Sequence, residues 1–344
     1  MKGRLIVLDH IGAREAAAYL VDGVLDDILI EDPELPRPGA IFRGICDRPI
    51  KGQGGMMLRL PDGETAFLRH GKGLRPGQAL LVQVTGHAED GKAIPVTDRV
   101  LFKSRYAIVT PGKPGVNVSR QITDDDARDN LLAIAHEVYD SPHGLILRSS
   151  CEGAADDEIA DDILAMVSLA DTVLDDADGN APEALTEGDG PHTIAWREWH
   201  GAAEVVTEPG GFENYGVLDQ LTRLGDAQVP LGEGMMFVEP TRALVAIDVN
   251  TGNDMSPAAA LKTNLAAARA LPRALRLRGL AGQISIDFVS MSKAHRRQVE
   301  QSLRTAFKAD PIETSLVGWT TMGLFELQRK RERPPFPAEL LRDL

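Results

Sequence analysis

"ALVAIDVNTG", residues 243–252, decides how this chain folds. Residues 243–249 read as a short apolar strand, yet Asp248 sits inside it. Taking a carboxylate out of water without a partner costs several kcal/mol, so Asp248 needs something to hold. "GQISIDFVSM", residues 282–291, repeats the pattern and places Asp287 after the same apolar, small, apolar run. Side chains alternate faces along a strand. Ile247 and Ile286 therefore point into a core, while Asp248 and Asp287 point the other way, beside the small Ala246 and Ser285. Neighbouring strands lie about 4.8 Å apart. Two carboxylates on one face of adjacent strands repel unless a cation lies between them. A hard divalent ion with oxygen ligands suits that pair, meaning Mg2+ or Mn2+. Asn250 shares the face, and its amide can hold a carboxylate in position. Either aspartate taken alone also reads as a strand-end residue capping a loop.

The flanking residues place these strands in a strand–helix–strand–helix unit. Ser256 and Pro257 suit the N-cap and first position of a helix. That helix is expected to run to about 278 and to stop at Gly279, with Pro272 a candidate kink. Ser292 caps a second helix, on which Val299, Leu303 and Phe307 fall four apart on one face. The order implies a parallel pair of strands joined by a crossover.

Upstream, residues 1–35 read as a β-meander with a hairpin turn at Asp22-Gly23. "PRPG", 36–39, punctuates the chain. Five short strands between glycine turns from 40 to about 102 suggest a small β-barrel. Residues 122–140 and 155–176 read as helices, and 177–191 as a loop or linker.

The 344 residues suggest two or three domains. No run of about 18 apolar residues occurs, so no membrane span is expected. The start carries no signal-peptide layout. Cys46 and Cys151 form no CxxC pair, which argues against a disulfide framework or a cysteine zinc site. The cytoplasm is the expected setting. The net charge of −14 argues at first against a nucleic-acid partner. The charge is unevenly placed, however: residues 122–190 carry 19 Asp+Glu and two Arg, whereas residues 255–344 carry 15 Lys+Arg and 8 Asp+Glu.

The segment "TRALVAIDVNTG…KTNLAAARALPRALRLRGLAGQISIDFVSM" resembles the catalytic segment of the ribonuclease E / ribonuclease G family of bacterial endoribonucleases. The likeness is dense from about 229 to 330. It includes "LGEGMMFVEPTRAL", "TN" at 263–264, "LRLRGL" at 275–280 and "GLFELQRKR" at 323–331. It implies an α/β (α+β) multi-subdomain fold, with ribonuclease-H-like and DNase-I-like catalytic parts and an inserted S1/OB β-barrel. On that basis 1–35 and 191–255 are expected to form the ribonuclease-H-like part and 36–103 the S1-like barrel. Residues 104–190 would be a 5′-sensor region, and 256–344 the DNase-I-like part.

The resemblance further implies a reaction. Asp248 and Asp287 would hold Mg2+ and Asn250 would orient a carboxylate. Single-stranded RNA, from a ribosomal precursor or a messenger, would be cut to 5′-phosphate and 3′-hydroxyl ends. Arg276, Arg278, His295, Arg296 and Arg297 are candidate contacts to the RNA backbone. Phe67 matches a base-stacking aromatic and Lys92 a basic RNA contact of the S1 part. Arg148 and Ser149 match a pair that binds a 5′-terminal phosphate, and 111–120 matches the loop that adds backbone amides there. A further sensor arginine is missing near 311–313, where the chain reads "DPIET". The family's CPxC pair is also missing, so neither a structural zinc nor a zinc-linked dimer is expected. The competing readings are an RNA-binding protein that keeps the fold without turnover, and a phosphodiesterase acting on DNA.

Overall fold

The structure, a computed structural model, describes residues 2–34, 36–50, 52, 54–88, 91–337 and 339–340. The chain divides into two compact units: residues 1–30 with 204–344, and residues 31–203. No helix among the described residues is long and apolar enough to cross a membrane.

The N-terminus forms the expected meander, β1 (Arg4–Ile11), β2 (Arg14–Val21) and β3 (Val24–Ile30). Asp22 and Gly23 both take positive φ, 51° and 78°, as a tight two-residue turn between twisted strands requires.

The second unit opens with β4 (Ile41–Ile50), β5 (Gly55–Arg59), β6 (Thr65–Leu68), β7 (Ala79–Val84) and β8 (Ile94–Thr97). Their order, β4-β5-β6-β8-β7 with β7 closing back on β4, is a five-stranded Greek-key barrel of OB type. Met56, Leu58, Ala66, Leu68, Ile94 and Val96 fill it. Beyond the barrel come β9 (Phe102–Lys103), β10 (Ala107–Thr110), β11 (Gly115–Val118), α1 (Asp125–Val138), β12 (Gly144–Leu147), α2 (Asp156–Asp175), β13 (Glu183–Thr186) and α3 (Pro191–Glu198). The sheet β11-β12-β10-β9 packs on α1 and α2 through Val109, Leu145, Leu147, Ile159 and Ile163. Residues 177–191, read as a linker, contain β13, which pairs with β4 of the barrel. Its four residues carry no alternation strong enough to announce a strand.

The first unit resumes with β14 (Glu204–Val206), parallel to β1. Two short helices follow, α4 (Gly211–Asn214) and α5 (Val217–Thr222), and pack Phe212, Val217 and Leu221 on the meander.

A six-stranded sheet then forms from β15 (Gln228–Leu231), β16 (Gly234–Pro240), β17 (Val245–Asn250), β18 (Gly282–Asp287), β19 (Thr314–Trp319) and β20 (Phe325–Arg329), in the order β15-β16-β17-β18-β20-β19. The helices α6 (Pro257–Leu277) and α7 (Lys293–Ala309) complete it. The expected boundary at 255/256 thus falls inside one sheet, because β15 to β17 share it with β18 and β20. The expected start of the ribonuclease-H-like part at 191 also shifts, since α3 belongs to the other unit.

The local signals act as the residue types require. Ser256 Oγ accepts from Ala259 N at 3.2 Å and Ser292 Oγ from His295 N at 3.3 Å, each capping its helix. Pro272 lies buried within the continuous α6. Val299, Leu303 and Phe307 are all buried against the sheet. Both helices cover the same sheet face, so the side chains of opposite parity remain on an open face.

Candidate active site

β17 and β18 are parallel neighbours, and their register pairs Ala246 with Ser285, Ile247 with Ile286, and Asp248 with Asp287. Ile247 and Ile286 are buried in the helix-covered core. Asp248 and Asp287 are exposed on the open face, directly opposite one another. Asn250 Nδ2 donates to Asp248 Oδ2 at 2.6 Å, which restrains one carboxylate of the pair.

Like charges directly opposite each other destabilise a sheet, so positive charge near this pair would stabilise it. Among the described residues, no cluster of three or more His, Cys, Asp or Glu assembles anywhere. A cation at the pair would therefore be held by two carboxylates and water. That donor set fits Mg2+, which commonly keeps several waters and takes one or two carboxylates.

The backbone that carries Asp287 is clamped from behind. Asn264, fully buried on α6, donates from Nδ2 to Val289 O at 2.8 Å and accepts from Val289 N at 3.1 Å. The sequence motif contained this asparagine, but its role needs a partner 25 residues away.

The basic residues divide into two groups. Arg296 lies with its guanidinium 4.6 Å from the Trp319 ring, and that ring packs on Phe288 and Phe325. Arg297 is exposed and His295 partly so, both on the first turns of α7. Arg276 requires a correction, since it is buried among carboxylates, whereas Arg278 remains partly exposed. Arg276 is only 7% exposed and pairs with Asp26 at 2.9 Å, Asp310 at 3.2 Å and Asp27 at 3.5 Å. Arg278 donates to Ala274 O and Asp226 O. The acceptors of Arg276 come from the N-terminal meander and from the end of α7, so Arg276 ties those elements together. Asp310, the first residue of "DPIET", also pairs with the fully buried Arg329 at 2.9 Å.

In the barrel, Phe67 points away from the core, opposite in parity to Ala66 and Leu68. A Cβ added at Gly55 would collide with the Phe67 ring, so the glycine leaves the room this ring occupies. Met57 and Pro95 are its partly exposed cross-strand neighbours. Lys92 is exposed in the turn before β8.

Arg148 and Ser149 lie just after β12. Arg148 is committed internally: Nη1 donates to Ser104 O at 2.5 Å and Nη2 to Glu198 Oε2 at 2.7 Å. Lys103 at 2.6 Å and Arg197 at 2.8 Å also contact Glu198. Arg197 in turn pairs with Asp189. Sequence reasoning missed Glu198, because nothing local marks an acid that will meet three cations. Burial raises the Glu198 pKa, but the three cations outweigh it and bring it to about 2 from 4.5. A carboxyl depressed on folding stabilises above its unfolded pKa and loses that contribution as pH falls through its folded value. Thermal stability of the unit formed by residues 31–203 should therefore drop between pH 4.5 and about 2. Melting curves of Glu198→Gln over that range should show a shallower fall, and equal slopes would remove Glu198 from the acid response.

Residues 102–202 and 198–332 match a family model described as Ribonuclease E/G family. Ribonuclease G of Salmonella typhimurium (strain SL1344) is 27% identical over 384 residues, covering 92% of this chain and 77% of that protein. Ribonuclease G of Escherichia coli (strain K12) gives the same figures, 27% over 384 residues with 92% and 77% coverage. Ribonuclease E of Nostoc sp. (strain PCC 7120 / SAG 25.82 / UTEX 2576) is 29% identical over 302 residues, covering 75% of this chain and 44% of that protein.

Proposed function

Because the chain belongs to the Ribonuclease E/G family, we propose that it is an endoribonuclease. In this reading it hydrolyses phosphodiester bonds in single-stranded RNA and leaves 5′-phosphate and 3′-hydroxyl ends. The observation that carries the reading is the register of β17 and β18, which sets Asp248 against Asp287 on an open sheet face. Relatives named Ribonuclease G and Ribonuclease E support the substrate class.

Asp248 and Asp287 would hold Mg2+, or Mn2+ in its place. When bound, such an ion lowers the pKa of a coordinated water and offsets charge on a phosphodiester undergoing displacement. The chain's own groups account for the positioning. Asn250 fixes the Asp248 carboxylate through its 2.6 Å hydrogen bond. Asn264 holds the backbone two residues beyond Asp287 through its bonds to Val289. Arg296 and Arg297 offer positive charge to the substrate backbone from the start of α7. Phe67 and Lys92 offer a stacking ring and a charge on the barrel.

The Arg148–Ser149 pair is retained as a proposed 5′-phosphate contact. Glu198 already occupies the Arg148 guanidinium, so a 5′-phosphate would have to compete with an internal carboxylate. Little preference between 5′-phosphate and 5′-hydroxyl substrates is expected.

The test is cleavage of a short fluorescent single-stranded RNA by purified protein in Mg2+, in Mn2+ and in EDTA, beside a DNA oligomer of the same sequence. Cutting of RNA alone, lost in EDTA and restored by Mg2+, is the expected result. RNA binding without cutting under any of these conditions would leave a binding protein in place of a nuclease. Equal cutting of DNA would widen the substrate class.

A further inference from the structure

Phe237 lies on β16 directly opposite Asp248 in the antiparallel pairing of β16 with β17. The same register sets Met235 opposite Asn250. Met236 and Val238, of the other parity, are buried in the helix-covered core, whereas Phe237 and Met235 stand on the open face and are partly exposed. On β15, Pro230 pairs with Met235 and is exposed. The open face is thus asymmetric about the acid pair. On one side lie Phe237, Met235 and Pro230, with the exposed Gln228 of β15 opposite Phe237 and donating from Nε2 to Met235 Sδ at 2.9 Å, and the exposed Glu239 two residues along β16. On the other lie Ser285 of β18 and Glu326 of β20, which are polar and paired with each other.

An aromatic ring held on rigid strand backbone beside a carboxylate is an unusual use of an exposed position. Burial does not explain it, because the core lies on the other face. Its cross-strand surroundings suit a planar partner with polar edges: a ring face, a thioether and a proline, beside the amide of Gln228. A nucleobase has that shape, and its own phosphate is the group an acid pair with a divalent ion would take. Directly opposed side chains on neighbouring strands have Cβ atoms about 4.5–5.5 Å apart, within the reach of one nucleotide.

We infer that Phe237 is a base-stacking platform of the catalytic face, which holds the nucleobase beside the scissile phosphodiester and so sets where the strand is cut. This rests on the nuclease reading for its substrate. Stacking on an aromatic is tolerant of base identity because every base has a π-face. The platform therefore selects an unpaired base rather than a particular one, and it makes no discrimination between RNA and DNA.

The experiment compares Phe237→Val, which keeps a strong strand former and removes the ring, with Phe237→Tyr, which keeps the ring. Affinity for a fluorescent single-stranded RNA is measured in Mg2+, and KM and kcat for its cleavage are measured in parallel. A series of substrates carries a single abasic nucleotide at each position around the cut. Phe237→Val should weaken binding and raise KM roughly tenfold or more, the lower part of the range for loss of one stacked base, with a smaller effect on kcat. Phe237→Tyr should stay near wild type. At one abasic position the wild type should lose the same factor and Phe237→Val should lose nothing further, a pattern that a purely structural role would not produce.

Equal affinity and KM for wild type and Phe237→Val on every substrate overturns the platform and leaves the nuclease standing. Ring-dependent affinity without any cleavage keeps Phe237 as a base-stacking contact and overturns both the nuclease and the placing of a cut. Absence of both RNA affinity and cleavage overturns both.

Discussion

Asp287→Asn should abolish RNA cleavage, by at least about a thousandfold, while the protein melts no lower than wild type. The kinetic part follows from the several kcal/mol that metal-assisted charge stabilisation contributes to phosphoryl chemistry, since each 1.36 kcal/mol is about tenfold in rate. The stability part follows from the register. Asp248 and Asp287 are exposed and directly paired, and opposed like charges destabilise a sheet. Removing one charge relieves that repulsion, so in EDTA the variant should melt at or above the wild type. Added Mg2+ should raise the wild-type melting temperature by mass action on the folded state and should leave Asp287→Asn largely unmoved. The two readouts are independent. A variant that still cuts would remove Asp287 from the chemistry. A wild type whose melting ignores Mg2+ would remove the metal from this carboxylate pair.

The second large effect concerns stability. Asp310→Ala should destabilise the unit formed by residues 1–30 and 204–344 by about 3–5 kcal/mol, the range for breaking a buried ion pair from one side. Asp310 is fully buried and divides its two oxygens between Arg276 and Arg329. Its loss leaves the fully buried Arg329 with Thr314 Oγ1 as its hydrogen-bond acceptor. Urea unfolding followed by Trp319 fluorescence, in a background with Trp196→Phe and Trp199→Phe, isolates this unit. Combining Asp310→Ala with Arg329→Met should recover much of the loss, because an apolar replacement of a whole buried pair is often neutral or better. A loss below about 1 kcal/mol for Asp310→Ala would place the pair with exposed ion pairs, which contribute little.

The six-stranded sheet was legible where its signals are local. Ser256-Pro257, Gly279 and Ser292 mark helix ends within a residue or two of their effect, and Asp22-Gly23 marks its own turn. Asp248 and Asp287 were readable because a carboxylate inside an apolar strand is conspicuous, and a parallel crossover brings such strands side by side. Arg276 was misread because its charge on a helix says nothing of where it ends up. Its acceptor Asp26 lies 250 positions away, and only the closed fold supplies it. Glu198 went unseen for the same reason, being 50 positions from Arg148. Phe237 sits in an apolar run, "MMFV", whose lack of alternation does not mark a face. Its outward direction is set by which sheet face the helices cover, and that is a property of the assembled layers. The strands between 102 and 118 escaped because runs of two to four residues carry too little alternation to register.

The first unit is built from the two ends of the chain, and Asp27 of the N-terminal meander meets Arg333 across 306 positions. A ribosome adding about 5–20 residues per second needs roughly 15 to 60 s to cover that span. The meander therefore leaves the exit tunnel long before its counter-charges exist, while residues 31–203 are continuous and can close as soon as they emerge. Synthesis order thus makes the barrel-bearing unit the early folder. Until Arg276 and Arg333 are made, the meander's acids at positions 26 and 27 stand without these partners.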